Sequence, residues 1–454
     1  MKNRFQVSLA AGSLLMLLLA AAWGQQSTPP APVPPDQAST SSDQIQDNAG
    51  ADKVDPDNRP LSGDEYLSPG LPESARNVMN SSIRVNQRLD SNARSSGTGS
   101  TWQGDSDVFG ELTLQRSWQR NAFSLNYDGG GTFYAERNAY STQQLGLSQL
   151  LTSGRWSLTL SNQMLYAPES PFGIPQLPPI TLNYLGTLIN LIPNQTILTN
   201  QVTRISNSST AQVEYAFSRH TSVTASGSYG LLDYLAAGAT NNNQIGGTVG
   251  YNYRFTPHDT LALTYSYQEL RFAGPLASSA IDINSPALSY AHQLTGRLSF
   301  QLGGGAELTK LLGPPAATKV YPSGHAELTY AWRRSRLDFL ASQALMSGIN
   351  LATATNTTIA QVSFSHTFSR TWDGSADVGF AENSVIGLSQ TIRSGYAGLN
   401  LHKALGRRAG TYFMYNFQRQ SSDLVCAGPV CAQNLVRHSI GVGLDWRFRP
   451  VVLR

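Results

Sequence analysis

The sequence predicts an all-β protein, a transmembrane antiparallel up-and-down β-barrel of about eighteen strands, with sixteen strands as the alternative. Three observations predict it. Short segments of apolar–polar alternation recur from about residue 81 onward, tight turns and longer polar loops alternate between them, and aromatic residues stand beside the tight turns. No stretch after residue 25 offers the roughly twenty consecutive apolar residues of a membrane helix, which excludes a bundle of transmembrane helices.

The alternating segments predict amphipathic strands. Residues 248–255 alternate between polar and apolar side chains, residues 256–259 form a tight turn, and residues 261–268 repeat the alternation, which is typical of a hairpin. Such segments run over roughly nine to twelve residues, which suits a tilted strand across a bilayer better than the five or six residues of an average sandwich strand. Their polar faces consist mostly of Ser, Thr, Gly, Asn and Gln, which suits a hydrated lumen.

The aromatic residues mark one height of the predicted barrel. Eight of them lie beside tight turns or at the end of the last alternating segment: Trp118, Trp156, Phe217, Phe255, Trp332, Phe368, Trp372 and Trp446. A ring of aromatics at one level is typical of a membrane interface, whereas a soluble sandwich would scatter them.

The strand count follows from the turns. Eight hairpins lie between residues 108 and 420, and a last strand covers residues 435–448. A further alternating segment at residues 83–89 completes an even total of about eighteen, with both ends of the barrel in the periplasm. The total is sixteen if one weak segment is a loop.

The N-terminal region predicts export. Residues 1–24 combine Lys2 and Arg4 with an apolar stretch and small residues before Gln25, as a cleaved signal peptide does. Residues 25–78 are Pro-rich and acidic, and we expect a disordered periplasmic linker that is either a solvated spacer or a docking tail for a periplasmic partner. We expect residues 79–454 to form the barrel, in the cell outer membrane of a Gram-negative bacterium.

The last predicted strand contains a glycine, Gly443, followed by two spaced aromatic residues, Trp446 and Phe448. This pattern resembles the C-terminal strand of bacterial outer-membrane β-barrel proteins of the porin-like kind. The resemblance implies that the barrel-assembly machinery reads this strand as its signal. The sequence departs from the usual pattern because residues 449–454 follow the final phenylalanine.

Charged residues at inward positions are candidates for lining a pore. They are Arg84, Arg88, Glu111, Arg254, Arg297, Asp377, Arg437, Asp445 and Arg447. Arginines of the first and last strands become neighbours if the barrel closes. They form either a basic wall that sets ion preference or a neutralised network that holds strands together.

The longest loop, residues 167–200, joins the fifth and sixth predicted strands. Residues 168–173 resemble the acidic constriction loop of general porins, which implies that Glu169 and Phe172 narrow the lumen. The loop is also rich in Leu and Ile, and this apolar surface has to pack somewhere. Three places remain open: inside the lumen, over its mouth, or against a partner.

The remaining residue types give little sign of catalysis. Cys426 and Cys431 predict a disulfide in an oxidising compartment, because a metal site would need more ligands than His438 adds. The seven histidines are dispersed and form no nucleophile–base pair, so we expect neither an enzyme nor a cofactor.

These observations predict an outer-membrane channel for passive diffusion of ions or small hydrophilic solutes, with a mild preference for anions. The alternatives are a conduit for exopolysaccharide export and a non-conducting structural or adhesive barrel. The expected partners are outer-membrane lipids, lipopolysaccharide, the barrel-assembly machinery and the transported solutes, and no nucleic acid. Outward Ala225, Gly227, Gly304 and Ala306 are compatible with a homo-oligomer, and the sequence leaves the oligomeric state open.

Overall fold

A computed structural model of the chain describes residues 60–62, 77–92, 102–134, 139–168, 196–199, 202–273, 278–312, 318–347, 354–423 and 434–453. Within these ranges, no helix is long and apolar enough to cross a membrane. The predicted signal peptide and most of the predicted linker lie outside the described residues. So do Glu169, Phe172, Cys426 and Cys431, and the predictions made for them stay predictions.

Eighteen long antiparallel strands close into one up-and-down barrel, which confirms the predicted fold class and strand number. The strands are β1 (Val78–Asp90), β2 (Gln103–Ser117), β3 (Asn121–Tyr134), β4 (Tyr140–Ser153), β5 (Trp156–Ala167), β6 (Arg204–Ala216), β7 (Thr221–Tyr234), β8 (Asn241–Thr256), β9 (Asp259–Ala273), β10 (Ser278–Thr295), β11 (Leu298–Leu311), β12 (Thr318–Ala331), β13 (Ser335–Ser347), β14 (Ala354–Thr367), β15 (Trp372–Val385), β16 (Thr391–Ala404), β17 (Ala409–Ser422), β18 (Leu435–Arg447) and the short β19 (Val451–Val452). Each of the first eighteen pairs with its neighbours along the chain.

The barrel closes between its first and last long strands. β1 pairs with β18 from Ser82↔Arg447 to Asp90↔Ser439. After Phe448, the final aromatic of the sequence, β19 continues the ladder with β1, and Val452 pairs with Val78. The departure from the usual C-terminal pattern therefore extends the closing seam by two residues.

The strands are longer than the alternating segments of the sequence. They cover 12 residues in β5 and 18 in β10, because backbone pairing continues beyond the part where apolar and polar residues alternate. A bilayer needs only about ten tilted residues per strand, so the ladders extend past the hydrocarbon region at their ends.

Side chains alternate between an apolar outer face and a polar inner face, as the two-residue period of a strand requires. On β8, Val249, Tyr251 and Tyr253 point outward and are about half exposed, whereas Gln244 and Asn252 point inward and are buried. On β1, the outward Val85 stands between the inward Arg84 and Asn86. The surface with the larger apolar residues is therefore the outside of the barrel.

The aromatic residues beside the tight turns pack against one another on the outer face. Trp156 lies 4.5 Å from Tyr215 and Trp332 lies 4.1 Å from Tyr330, measured between ring centroids. Trp446 on β18 belongs to the same level and is also exposed. This arrangement agrees with the interfacial ring predicted from the sequence.

One seam of the wall is only half paired. The ladder between β12 and β13 ends at Gly324↔Gln343, although both strands continue toward the loop side. Beyond this point, the backbone N–H of Leu345 donates a 2.7 Å hydrogen bond to a carboxylate oxygen of Glu307 on β11. The end of β13 thus separates from β12, while it stays paired with β14, and turns toward the inner face of the barrel.

Candidate functional site: the barrel lumen

The inner wall near the closing seam holds a network of buried ion pairs. Arg88 on β1 donates from Nε to Asp105 Oδ1 at 2.9 Å, and both side chains are almost fully buried. Arg437 on β18 donates from Nε to Asp90 Oδ2 at 2.8 Å across the closure. Arg84 forms a further ion pair with Asp128 on β3.

The network also contains a carboxylate that neutral groups satisfy. Asp107 lies 3.9 Å from the Arg88 guanidinium and accepts hydrogen bonds from Asn86 Nδ2 at 3.1 Å and Thr132 Oγ1 at 2.7 Å. Arginines of the first and last strands are thus brought together, as the sequence predicted, but each has a carboxylate partner. This arrangement fits a neutralised network better than a basic wall.

Three other sequence-predicted pore residues, Glu111, Asp445 and Arg447, lie toward the turn side of the barrel. Asp445 lies 3.1 Å from His402 Nε2 and 3.6 Å from Arg447 Nε, and Arg447 is largely exposed. Glu111 accepts a 3.1 Å hydrogen bond from Ser82 Oγ. These groups are less deeply buried than the network around Arg88, and Arg447 is the most exposed of them.

Three further candidates are separate from both groups of residues. Asp377 points inward from β15, where Gly398 leaves it room, since a Cβ at that glycine would come within 2.7 Å of Asp377 Oδ1. Arg254 lies at the end of β8 and its carbonyl accepts from His220 Nδ1. Arg297 lies in the turn between β10 and β11, outside the alternating part of β11, which begins at Leu298. It therefore lines a groove on the outer face beside Trp332 instead of the lumen.

The glycine of the predicted assembly signal has a packing role inside the barrel. A Cβ at Gly443 would lie 2.3 Å from the Tyr412 ring and 2.7 Å from the Val85 carbonyl oxygen. The ring of Tyr412 on β17 therefore covers Gly443, while Trp446 and Phe448 point outward and are exposed. Aromatic side chains commonly cover strand glycines in this way.

The end of the long loop lies inside the barrel. The Gln420 side chain on β17 accepts from Leu198 N and donates to Leu198 O, each at 2.7 Å. Thr196 Oγ1 donates to Asn383 Oδ1 on β15 at 2.9 Å, and Thr199 accepts from the Arg204 guanidinium at the start of β6. We refer to residues 196–199 as the lumen segment.

The lumen segment bridges opposite walls. β6 and β15 stand nine strands apart in either direction around an eighteen-stranded ring, and so do β7 and β16. Ile197 is fully buried in an apolar cluster with Leu232 and Tyr234 from β7 and Ile392 from β16. Leu198 belongs to a second cluster, with residues from β13 to β18. The lumen is therefore narrow on the loop side.

A third apolar cluster narrows the same end of the barrel. It joins Leu270 and Phe272 of β9 to Leu345 at the inward-turned end of β13. Members of all three clusters occupy inward positions that the sequence analysis expected to be polar. The apolar character of the loop was recognised in the sequence, but its partners on the wall were not.

The arginine beside the lumen segment is absent from the residues predicted to line the pore. Arg204 is fully buried, and its guanidinium carbon lies 5.5 Å from the centroid of the Tyr234 ring. Its position directly after the long loop hid its inward orientation, since the preceding residues do not alternate. The alternation within β6, where Ser206 and Ser208 are also buried, carries the signal that could have located it.

The described residues contain no group of three or more His, Cys, Asp or Glu side chains placed to hold a metal ion. The charged groups near the closing seam are joined to one another, and the inward carboxylates of Asp377 and Glu307 lie apart from them. This arrangement can hold a polar passage in a fixed shape and determine the electric field inside it.

Comparison with known proteins finds no matching family model and no matching curated protein. Among solved structures, the chain is similar to OccAB2 of Acinetobacter baumannii, with 9% identity and a TM-score of 0.40 over 83% of this chain and 100% of that chain. It is also similar to OccK2 (OpdF) of Pseudomonas aeruginosa, solved in complex with glucuronate, with 9% identity and a TM-score of 0.42 over 82% of this chain and 98% of that chain. Likenesses of this size say nothing of substrate, so the fold assignment rests on the strand pairing described above.

Proposed function

We propose that this chain is an outer-membrane channel through which ions or small hydrophilic solutes diffuse passively. The observation that supports the proposal is a closed eighteen-stranded barrel with an apolar outer face and a polar inner face. Barrels of sixteen to eighteen strands are wide enough for an aqueous channel, and an apolar outside suits only a lipid environment. The lumen segment narrows the channel from within.

The first test is the single-channel conductance of the purified protein in a planar bilayer. We expect steady ohmic steps that are small for a barrel of this width, because the lumen segment bridges opposite walls. Deleting residues 170–195 should enlarge the steps if the long loop narrows the channel. Unitary currents that the deletion leaves unchanged would remove the constriction loop from the proposal.

Ion selectivity is a separate prediction, measured as the reversal potential in a salt gradient. The sequence predicts a mild preference for anions, on account of the inward arginines. Arg84, Arg88 and Arg437 each have a carboxylate partner, so any preference should be small. A clear cation preference would overturn the predicted anion preference without affecting the channel itself.

A non-conducting structural barrel is the second candidate function. It is favoured by the apolar clusters that connect opposite walls on the loop side. Silence from well-folded protein in the same bilayer experiment would support it and contradict the channel. An exopolysaccharide conduit has less support, because the inner arginines are paired instead of forming a continuous basic track.

We further propose that the barrel-assembly machinery recognises β18 and inserts the protein among outer-membrane lipids and lipopolysaccharide. Replacing both Trp446 and Phe448 with alanine should greatly reduce the amount of folded barrel in the outer-membrane fraction. The amount is measured as the intensity of the heat-modifiable band on a gel. The matched control replaces Phe368 and Trp372, which are exposed aromatics of the same ring at the turn between β14 and β15. Equal losses from both pairs would show an interfacial effect and no assembly signal.

A further inference from the structure

A short part of the N-terminal region lies on the inner wall, far from the strand that it precedes along the chain. Residues 60–62 belong to the segment predicted to be a linker, and Ser62 is almost fully buried. Its contacts are with β7 and β8, whereas the chain enters the barrel at β1. A plain spacer would need no such contact.

The inner wall recognises every polar group of Ser62. Asn252 on β8 accepts from Ser62 N at 2.7 Å and donates from Nδ2 to Ser62 Oγ at 2.7 Å. Thr224 on β7 forms a 2.6 Å hydrogen bond between hydroxyl groups and donates to the Ser62 carbonyl at 3.3 Å. Both wall side chains are themselves buried.

The wall also leaves a space of the right shape. A Cβ at Gly250 would lie 2.2 Å from Ser62 Cβ and 2.5 Å from Ser62 Oγ. Gly250 is an inward position on β8, between the polar Thr248 and Asn252. The absence of a side chain there is what allows Ser62 to reach the wall.

The site lies at the end of the lumen opposite to the lumen segment. Thr224 is three residues from the start of β7 on the turn side, which corresponds to roughly 10 Å at the rise of a strand. Asn383 and Gln420, which hold the lumen segment, are two residues from the loop-side ends of their strands. The passage thus contains one added stretch of chain near each mouth.

We propose that the inner wall at Thr224, Gly250 and Asn252 is a docking site for residues 60–62, and that the docked segment reduces the flow of ions through the turn side of the channel. This inference rests on the proposed channel function. Release of the segment raises the conductance, because the docked residues occupy part of the passage.

Two variants of the full-length mature protein release the segment in different ways. Gly250→Ala places a methyl group where Ser62 lies, and Ser62→Pro removes the N–H and the hydroxyl while leaving the barrel wall unchanged. The control is Gly246→Ala on the same strand and face, where the nearest atom is the rotatable hydroxyl of Ser228. In planar bilayers, we expect both releasing variants to conduct up to about two-fold more than the wild type and the control.

A second readout does not depend on conduction. Leu61→Cys, in a protein with Cys426→Ser and Cys431→Ser, reports docking through its rate of reaction with a membrane-impermeant thiol reagent. We expect slow labelling with the wild-type wall and with Gly246→Ala, and labelling at least several-fold faster with Gly250→Ala.

The two readouts separate the two proposals. Equal labelling rates for all walls would overturn the docking site, even where the barrels conduct. A difference in labelling without conduction in any variant would support docking and overturn the channel. Faster labelling without a rise in conductance would overturn the claim that the docked segment restricts flow.

Discussion

Replacing Arg88 by alanine should lower the free energy of unfolding by about 3–5 kcal/mol, because it leaves buried carboxylates without their cation. The Arg88 side chain is 5% exposed, Asp105 is fully buried against it, and Asp107 lies 3.9 Å away. Asp90 is the third acidic group in this part of the wall, and Arg437 is then left as its cation. Urea titration of the barrel in detergent micelles, followed by tryptophan fluorescence, measures the change.

The matched control for Arg88 is an ion pair on the outer face. Arg271 donates to Glu269 at 2.7 Å but is 55% exposed, so Arg271→Ala should cost less than about 1 kcal/mol. A second variant, Arg88→Ala with Asp105→Ala, should recover part of the loss because the unpaired carboxylate is removed with its partner. Similar losses from Arg88→Ala and Arg271→Ala would contradict the view that burial makes the inner network important for stability.

The ion-pair network shows which part of this structure the sequence could predict. The two-residue alternation placed Arg84 and Arg88 on the inner face, and the even strand count placed them beside Arg437. The first step depends on local periodicity, which a sequence displays directly. The second step depends on closure of the barrel, which follows from the even number of strands. The choice between a basic wall and a neutralised network depended on Asp105 and Asp128, which the sequence analysis did not include among the pore residues.

The apolar interior of the loop side could not be predicted in the same way. The period of a strand indicates which residues share a face, but it does not say which face is filled by another part of the chain. Leu232 and Ile392 occupy inward positions on strands that stand opposite each other, and only Ile197 between them explains why they are apolar. Ser62 presents the same difficulty, since its partners are more than 150 residues away in sequence.

Replacing Ile197 by aspartate should widen the channel more than any other single substitution in the lumen segment. Ile197 is fully buried between side chains of β7 and β16, so an aspartate would bring an ionised group into an apolar cluster. Burying an unpaired charge costs several kcal/mol, and the apolar contact of Ile197 is lost as well. Together these costs exceed the roughly 4 kcal/mol that the four hydrogen bonds of the segment contribute at about 1 kcal/mol each. The segment therefore leaves the lumen, and single-channel conductance in a planar bilayer should rise by about two-fold or more.

Ile197→Val is the control, because it keeps the apolar contact and removes only one methylene, at about 0.5–1.5 kcal/mol. It should leave the conductance unchanged. The side chains on both walls remain in the Ile197→Asp barrel, so a rise in conductance assigns the restriction to the segment itself rather than to Leu232 and Ile392. Unchanged currents in Ile197→Asp would mean that the two walls meet without the segment, and the narrow loop side would then belong to the shape of the barrel.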